Sequence, residues 1–341
     1  MNNNISLTEV FKSVQIAGRS LIKLSEQTVN AVLIRLSEEL VLNTGQLLAE
    51  NQKDLDRMQD KDPKYDRLKL TTQRIKDIAA EIKNVATLSS PLGKLLESRT
   101  MQNGMHIRKV SVPMGVIGII YEARPNVTAD VFSLCIKSGN ACILKGGSDA
   151  SFSNAAVVQL IKSVLRQFDI NENCVELLPP TREAAAELLR AVGYVDVIIP
   201  RGSQQLINYV RENAKVPVIE TGAGIVHAYF DETGDLEKGS AIVLNAKTRR
   251  VSVCNALDCL IIHSSRLPEL PKLVQQLADK NVLLYADEAA YNTLENNYPS
   301  TLLSKATDTH FGTEFLDYKM AVKTVSAINE AIEHITKFSS K

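Results

Sequence analysis

Apolar positions in the first quarter of the chain recur every three to four residues. Val10, Val14 and Ala17 begin the first such stripe. This period is typical of amphipathic helices, because each helical turn brings the third or fourth residue back to the same face. Similar stripes predict helices over about 29–42, 46–58 and 71–88, the last with Thr71 or Thr72 as its N-cap.

From residue 115 onwards, short uninterrupted apolar runs alternate with helical stripes. Such runs predict strands buried on both faces, and strands separated by helices predict a parallel sheet covered on both sides. We therefore expect a doubly wound α/β domain within residues 1–224 and a second α/β domain over 225–341. The predicted strands are 116–121, 141–145, 174–178, 195–200, 216–219, 226–230, 258–263, 282–285 and 320–325, and the helices between the first five are 127–138, 150–168, 182–192 and 203–213.

An alternating segment over about 98–112 precedes the first predicted sheet. Its centre is Asn103-Gly104, a dipeptide that favours a tight turn between antiparallel strands. The segment predicts a hairpin, which would serve either as a subunit contact or as an ordinary surface feature.

Length and charge narrow the classes of function. A chain of 341 residues favours two domains. Lysine plus arginine equals aspartate plus glutamate at 39 each, so no net field attracts a polyanion or an anionic bilayer. No apolar run approaches the roughly 18 residues of a membrane span, and the N-terminus lacks the basic start of a signal peptide. These features disfavour nucleic acid and membranes as partners and predict a soluble, cytoplasmic protein.

The five cysteines form no Cys-x-x-Cys pair and are odd in number, which predicts reduced thiols without a disulfide framework or a metal site. Cys254 differs from the others because it lies between a polar, basic segment and an apolar run. A thiol reacts as thiolate, and an ordinary pKa near 8.5 leaves only roughly 3% ionised at pH 7. Arg250 would lie about 13 Å away along an extended chain, too far to activate it. Two interpretations stay open here, a nucleophile or a small buried apolar residue.

Two predicted strand-to-helix links carry glycines and a cation. Lys145 is followed by Gly146 and Gly147, and Arg201 by Gly202 and Ser203. Glycines let backbone N–H groups approach a phosphate, and a helix N-terminus adds partial positive charge. Neither link has the spacing of a Walker loop or a dinucleotide fingerprint, so a simple turn with a serine cap is an equal alternative.

Polar residues also follow the strand over 116–121, in Tyr121-Glu-Ala-Arg-Pro-Asn126. This bunching suits a substrate or oxyanion contact, although Asn126 could equally be a helix N-cap. Glu220 could supply a carboxylate to an active site, whereas His227 and His263, on apolar strands, are expected to be packed core residues.

Four stretches carry a resemblance to a known family. They are Gly115-Val-Ile-Gly-Ile-Ile-Tyr-Glu-Ala-Arg-Pro-Asn-Val-Thr128, Ser138-Gly-Asn-Ala-Cys-Ile-Leu-Lys-Gly-Gly147, Ile198-Ile-Pro-Arg-Gly202, and Asn245-Ala-Lys-Thr248 with Cys254-Asn255. In order and spacing they resemble the gamma-glutamyl phosphate reductase family of the aldehyde dehydrogenase superfamily. The resemblance extends over essentially the whole chain.

The resemblance implies an aldehyde-dehydrogenase-like fold, with an NADP-binding first domain and a catalytic second domain, in an enzyme that is a homo-oligomer when full length. It implies the NADPH-dependent reduction of L-glutamyl 5-phosphate to L-glutamate 5-semialdehyde in proline biosynthesis. Cys254 would attack the acyl carbon, expel phosphate and form a thioester, which hydride converts into a thiohemiacetal that collapses to the aldehyde.

The resemblance also implies roles for single residues. Asn126 and the Cys254 amide would stabilise the oxyanion. Lys145 would lie near the adenosine ribose, and Gly202 with Ser203 at the pyrophosphate. Glu220 resembles a water-activating glutamate, although reduction needs no water as nucleophile. The further expected contacts are Gly146, Gly147 and Arg201 for the cofactor and Arg124, Asn255 and Arg250 for the substrate, with its carboxylate on either arginine.

Three departures from the family pattern accompany the resemblance. Val251 stands where the family usually has proline, and Val226 where it usually has cysteine. The family also continues through further strands, so the chain is expected to lack the C-terminal part of the catalytic domain. The alternatives are a CoA-acylating or non-phosphorylating aldehyde dehydrogenase, or a nucleotide-binding fragment without activity.

Overall fold

The structure, a computed structural model, describes residues 6–59, 62, 65–122, 124–220 and 224–339. The chain divides into two compact units, Met1–Thr221 and Gly222–Lys341. This division lies three residues before the end of the predicted first domain at residue 224. Within the described ranges, no helix is both long enough and apolar enough to cross a bilayer.

Helices come first in the chain, as the apolar stripes predict. Thr71 is the N-cap of the last long helix, and its Oγ1 accepts a hydrogen bond from the Arg74 N–H at 3.1 Å. Apolar residues such as Val14, Leu33 and Ile82 are buried in the same core as the first sheet. The helices are α1 Leu7–Leu21, α2 Glu26–Leu42, α3 Thr44–Leu55, α4 Tyr65–Leu68 and α5 Thr72–Thr87.

The predicted hairpin is confirmed, as β1 Leu95–Thr100 paired antiparallel with β2 His106–Val110. Asn103 and Gly104 lie in the turn between the two strands, as expected. The strands are joined by residues 101–105, closed by a hydrogen bond from the Met101 N–H to the Met105 carbonyl at 2.8 Å, and Gly104 adopts a φ of +81°. The Asn103 side chain adds to this turn, because its Oδ1 accepts the Met105 N–H at 3.1 Å.

The first unit contains a parallel four-stranded sheet with the order β5-β4-β3-β6. Its strands are β3 Val116–Tyr121, β4 Ala141–Lys145, β5 Val175–Leu177 and β6 Val197–Arg201, and its helices are α6 Pro125–Lys137, α7 Ser151–Gln167, α8 Arg182–Leu189 and α9 Gln204–Asn213. The strand predicted over 216–219 is wrong, since only a single bridge joins Val218 to Ile198. Pro217 has no N–H to continue a ladder.

The second unit contains a parallel five-stranded sheet with the order β10-β9-β11-β8-β7. Leu260 and Ile262 pack on one face of this sheet, whereas Cys259 and Ile261 pack on the other, against α14. The elements are β7 Val226–Phe230, α10 Leu236–Thr248, β8 Leu257–His263, α11 Leu270–Ala278, β9 Leu283–Ala286, α12 Glu288–Leu294, β10 Leu303–Lys305, α13 Asp308–Phe311, β11 Lys319–Val325 and α14 Ile328–Phe338.

Candidate active site

The carboxyl edge of the first sheet gathers most of the predicted cofactor residues. Chain order proceeds from β3 outward to β4 and β5 and then returns to β6 on the other side of β3. The topological switch point therefore lies between β3 and β6, which is where ligands of open α/β sheets bind. Lys145 is the register partner of Ile120, and Arg201 is that of Tyr121, so both cations end strands next to β3.

The N-terminus of α9 at this edge already holds a carboxylate. Ser203 is the N-cap of the helix. Its N–H donates to Glu122 Oε2 at 3.1 Å, and its Oγ donates to Glu122 Oε1 at 2.6 Å. A helix N-terminus favours negative charge, which explains why the Glu122 side chain lies there. The same donors are those expected for the pyrophosphate.

Gly202 and Gly146 have local packing reasons to be glycine. A methyl group on Gly202 would lie 2.8 Å from Leu206 Cδ2 and 2.9 Å from Glu122 Cδ. One on Gly146 would collide with the buried Asn154 amide and lie 3.3 Å from Tyr121 Cζ. After Gly147 the chain forms a 3₁₀ turn, Ser148–Ala150, before α7 begins, so this link does not lead directly into an α-helix.

Lys145 is half-buried at the end of β4, and burial lowers the pKa of its ammonium group. Arg201, by contrast, is exposed at the end of β6. The first-sheet edge therefore offers one partly desolvated cation and one solvated cation.

Asn126 lies in the first turn of α6, and the alternative that it is the N-cap is wrong, because Arg124 occupies that position. Its Nδ2 donates to Asp130 Oδ2 at 3.0 Å, one helical turn further on. Burial raises the pKa of Asp130 to about 6, and Asp130 Oδ1 has no hydrogen-bond partner among the described residues. An amide nitrogen carries two hydrogens, so Asp130 orients the group through one of them.

Glu220 lies at the end of the described part of the first unit. It is an exposed residue whose Oε1 lies 3.4 Å from Arg211 Nη1, on α9. This surface ion pair with Arg211 accounts for the position of the Glu220 side chain.

The second unit carries Cys254, Asn255 and Arg250 on one loop. This loop joins the end of α10 to the start of β8 at Leu257, so it lies at the amino end of its strand. Cys254 and Asn255 are both exposed, as is Arg250. The cysteines at 135, 142, 174 and 259 are all buried, which leaves Cys254 as the one exposed thiol of the five. The interpretation of Cys254 as a buried apolar residue is therefore wrong.

The backbone of Cys254 is packed tightly on Gly224. A methyl group on Gly224 would lie 3.0 Å from the Cys254 carbonyl carbon, 3.1 Å from its Cβ and even closer to its carbonyl oxygen. Only a residue without a side chain fits here, and this contact limits where the thiol can lie.

Two buried charged residues, which have no predicted role, stand on either side of the Cys254 loop. Lys247 Nζ lies 4.0 Å from Asp258 Oδ1, beyond hydrogen-bonding distance. Asp258 also accepts the Phe315 N–H at 3.1 Å and the Val226 N–H at 3.3 Å. Burial lowers the pKa of Lys247 to about 8 and raises that of Asp258 to about 6. The sequence feature that could have indicated this pair is the aspartate inside the apolar run of β8.

The candidate residues thus form two groups, one in each unit. In the first unit Lys145, Arg201 and the residues around Ser203 lie on adjoining strand ends, and Arg124 and Asn126 lie at the start of the helix that follows β3. Within the second unit Cys254 shares its loop with Asn255 and Arg250. The two groups also contain residues for which the sequence predicted no role: Glu122, Asp130, Gly224, Lys247 and Asp258.

Comparison with known proteins defines the family. Residues 23–289 match the model of the aldehyde dehydrogenase family. The chain is 59% identical over 337 residues to a gamma-glutamyl phosphate reductase of Bacteroides fragilis, covering 99% of the chain and 81% of that protein. It is 60% identical to the protein of that name from Bacteroides thetaiotaomicron, covering 98% of the chain and 81% of the relative.

Solved structures agree with the sequence comparisons. The crystal structure of gamma-glutamyl phosphate reductase from Thermotoga maritima matches with a TM-score of 0.87 and 36% identity, over 98% of this chain and 81% of that one. An acetylating aldehyde dehydrogenase from Geobacillus thermoglucosidasius matches with a TM-score of 0.68 at 16% identity, over 97% and 78% of the two chains, and so shares the fold. The expected aldehyde-dehydrogenase-like α/β fold is thereby confirmed. The chain belongs to the gamma-glutamyl phosphate reductases, oxidoreductases of the aldehyde dehydrogenase family.

Proposed function

We propose that this protein reduces L-glutamyl 5-phosphate to L-glutamate 5-semialdehyde with NADPH and releases phosphate, as a step of proline biosynthesis. The observation that carries the proposal is the exposed Cys254 thiol, on a loop of a chain 59% to 60% identical to gamma-glutamyl phosphate reductases. A thiol suits this reduction because its ester remains electrophilic enough to accept a hydride.

The chain's own residues supply the covalent steps. The Cys254 thiolate attacks the acyl carbon and the C–O bond to phosphate breaks, so that a thioester replaces the acyl phosphate. Asn126, oriented by Asp130, and the Cys254 backbone N–H donate to the acyl oxygen as negative charge develops on it. Arg250 or Arg124 binds the substrate carboxylate, and Asn255 contacts the substrate beside the thiol. Glu220 has no proton to take from water in this direction, so its role is secondary.

Membership of the family implies a nicotinamide cofactor, and the first-sheet edge fits its anionic groups. Glu122 acts as a stand-in anion on the α9 N-terminus, which supports binding of the pyrophosphate by Gly202, Ser203 and Arg201. Binding there requires Glu122 to release the Ser203 N–H. When bound, the cofactor would supply the hydride that reduces the thioester to the aldehyde oxidation level.

We infer NADPH rather than NADH from the cation at the adenosine end. Lys145, with Gly146 and Gly147, would contact the ribose, and a cation there favours a 2′-phosphate over a 2′-hydroxyl. We expect Lys145→Met to weaken NADPH binding until its Kd is close to that of NADH.

Subunit contact and location are parts of the same proposal. The β1–β2 hairpin is exposed throughout or nearly so, including Leu95, Leu96 and Met105 at 57%, 60% and 52%. Apolar side chains this exposed support a role in joining copies of the protein. A cytoplasmic location and a preference for small molecules over nucleic acid or membranes stay predictions from composition.

The deciding assay follows the reverse reaction, the phosphate-dependent reduction of NADP⁺ by glutamate semialdehyde. We expect Cys254→Ala to lower kcat by about 10³-fold or more, since loss of a nucleophile removes the covalent route. Cys174→Ala, which truncates a buried thiol of the first unit, is the matched control and should retain activity. Full activity in the Cys254 variant would refute the thioester mechanism.

A second arm of the assay separates the related chemistries. Coenzyme A replacing phosphate as the acyl acceptor would identify a CoA-acylating enzyme, and turnover independent of both would identify a non-phosphorylating one. NADPH binding without any turnover would correspond to a nucleotide-binding protein that is inactive.

A further inference from the structure

Two histidines and a cysteine converge inside the second unit, away from the Cys254 loop. One ring nitrogen each of His227 and His334 and the sulfur of Cys259 lie within 4.8 Å of one another. Cys259 Sγ is 3.8 Å from His334 Nε2. Cys259 and His334 are buried and His227 is half-buried. Imidazole and thiolate are the ligands that zinc and copper prefer in proteins.

The fold brings these residues together by strand pairing and helix packing. His227 on β7 and Cys259 on β8 are register partners in neighbouring parallel strands, so their side chains leave the sheet on one face. That face is covered by α14, whose inward side carries Ala331 and His334. Three separate elements therefore each contribute one ligand atom.

His227 presents an unshared electron pair to this buried region. Its Nδ1 lies 3.1 Å from the Ile225 carbonyl, and a carbonyl oxygen can only accept, so Nδ1 carries the hydrogen. Nε2 is then the unprotonated nitrogen, and it is buried without a hydrogen-bond partner among the residues described. A hydrogen bond donated by the other ring N–H to a backbone carbonyl is a usual way in which proteins orient a metal-binding histidine.

Burial disfavours the charged forms of the three groups. It lowers the pKa of His334 to about 4, an effect that His227 increases, and it also lowers the pKa of His227. It raises the pKa of the Cys259 thiol, so this cysteine is not an activated nucleophile. Phe311 and Phe338 pack against the His334 ring, with centroids 5.1 and 4.7 Å away, but leave His227 Nε2 unpaired.

We propose that His227, Cys259 and His334 bind a thiophilic d¹⁰ cation, Zn²⁺ or Cu⁺, which fastens α14 to strands β7 and β8. Ideal tetrahedral zinc coordination sets the S···N separation at about 3.6 Å and N···N at about 3.4 Å. The observed 3.8 Å between Cys259 and His334 is close to the first value. A separation at the 4.8 Å limit of the cluster must contract by about 1.2 to 1.4 Å to reach the ideal values. A solvent molecule completes the coordination, reached from the half-buried side at His227.

Binding is a substitution without redox change. The cation forms a bond to Cys259 sulfur as the S–H bond breaks, and one proton is released to solvent. The two imidazoles donate their electron pairs and lose no proton. Affinity should therefore rise with pH, and each equivalent of cation should release one proton.

The test uses the full chain, reduced with a phosphine and stripped with a chelator, in the Cys254→Ser background so that the exposed thiol is absent. Co²⁺ serves as the spectroscopic probe for zinc. We expect a thiolate-to-cobalt charge-transfer band that saturates at one equivalent and disappears on addition of Zn²⁺. Thermal melting should shift upward with Zn²⁺, or with Cu⁺ supplied under reducing conditions, because a ligand of the folded state stabilises it.

Matched variants distinguish this cluster from other ligands. Cys259→Ser should abolish the charge-transfer band, and His334→Gln should weaken cobalt binding at least tenfold, whereas His263→Gln, outside the cluster, should change neither. If Cys259→Ser fails to fold by circular dichroism, His227→Gln decides through the melting shift alone. A band that persists in Cys259→Ser, or the absence of any band and melting shift with both cations, would overturn the proposal.

Discussion

Replacing Gly224 with alanine should move the Cys254 backbone and slow the reaction. A methyl group built on Gly224 would lie 2.1 Å from the Cys254 carbonyl oxygen, whereas real Cβ atoms essentially never come within 3.0 Å of such a neighbour. The obstacle is backbone rather than the end of a flexible side chain, so it cannot rotate away. The two segments must separate by at least about 0.9 Å, the difference between these two distances.

A displacement of this size is large for a nucleophile. Misplacement by 1 Å can lower a rate by about 10²-fold, equivalent to about 2.7 kcal/mol of transition-state stabilisation. Overpacking should also lower the free energy of unfolding by about 1 to 3 kcal/mol. We therefore expect Gly224→Ala to lower kcat about 100-fold while the protein remains folded.

Steady-state kcat for semialdehyde-dependent NADP⁺ reduction measures the first effect, at a temperature where circular dichroism shows wild type and variant both folded. Gly45→Ala is the matched control, because a methyl group at Gly45, within α3, meets nothing within 4 Å. That substitution should leave kcat unchanged and raise stability by up to about 1 kcal/mol. A Gly224→Ala enzyme with kcat within twofold of wild type would refute the argument that this contact positions Cys254.

Two further substitutions test the groups around the first sheet. The partly buried carboxyl of Asp130 has its pKa raised from 3.8 to about 6, so its ionisation opposes folding, and wild type should lose stability relative to Asp130→Asn as pH rises from 4 to 6. Denaturant unfolding should show this difference growing by up to about 3 kcal/mol, and a difference that is flat with pH would contradict it. Glu122→Gln removes the charge that accepts both Ser203 hydrogen bonds at the α9 N-terminus, and should lower the free energy of unfolding by about 1 to 2 kcal/mol. An unchanged chemical denaturation midpoint would show that the carboxylate does not stabilise α9.

The strands were predictable wherever burial on both faces makes an apolar run uninterrupted. The bounds of β3 and β4 are those predicted, because such runs end abruptly at polar or turn residues. The bounds of β7 are also those predicted, although four of its five residues are only half-buried. β10 was missed because three residues, Leu303–Lys305, are too few to show a period. The run at 216–219 has the composition of a strand, but Pro217 cannot donate to a ladder.

The contacts around the candidate site were less predictable, since they join positions distant in sequence. Glu122 meets Ser203 only because β6 returns to lie beside β3, which the order of elements along the chain does not reveal. His227 and Cys259 meet through strand register, and His334 joins them 75 residues after Cys259 through the packing of α14. The spacings between His227, Cys259 and His334 along the chain correspond to no known local metal-binding motif, so the sequence predicted no metal site.

The loop that carries Cys254 combines an exposed thiol with buried supports. Gly224 contacts its backbone, and the Lys247 and Asp258 charges are buried just before and just after it. Their pKa values, about 8 and about 6, are both displaced towards the neutral forms, because the 4.0 Å separation recovers only part of the lost solvation. Removing either one would leave the other buried without its partner. Because the two charges flank the loop and their burial costs solvation, we expect this pair to contribute more to the position of the nucleophile than to net stability.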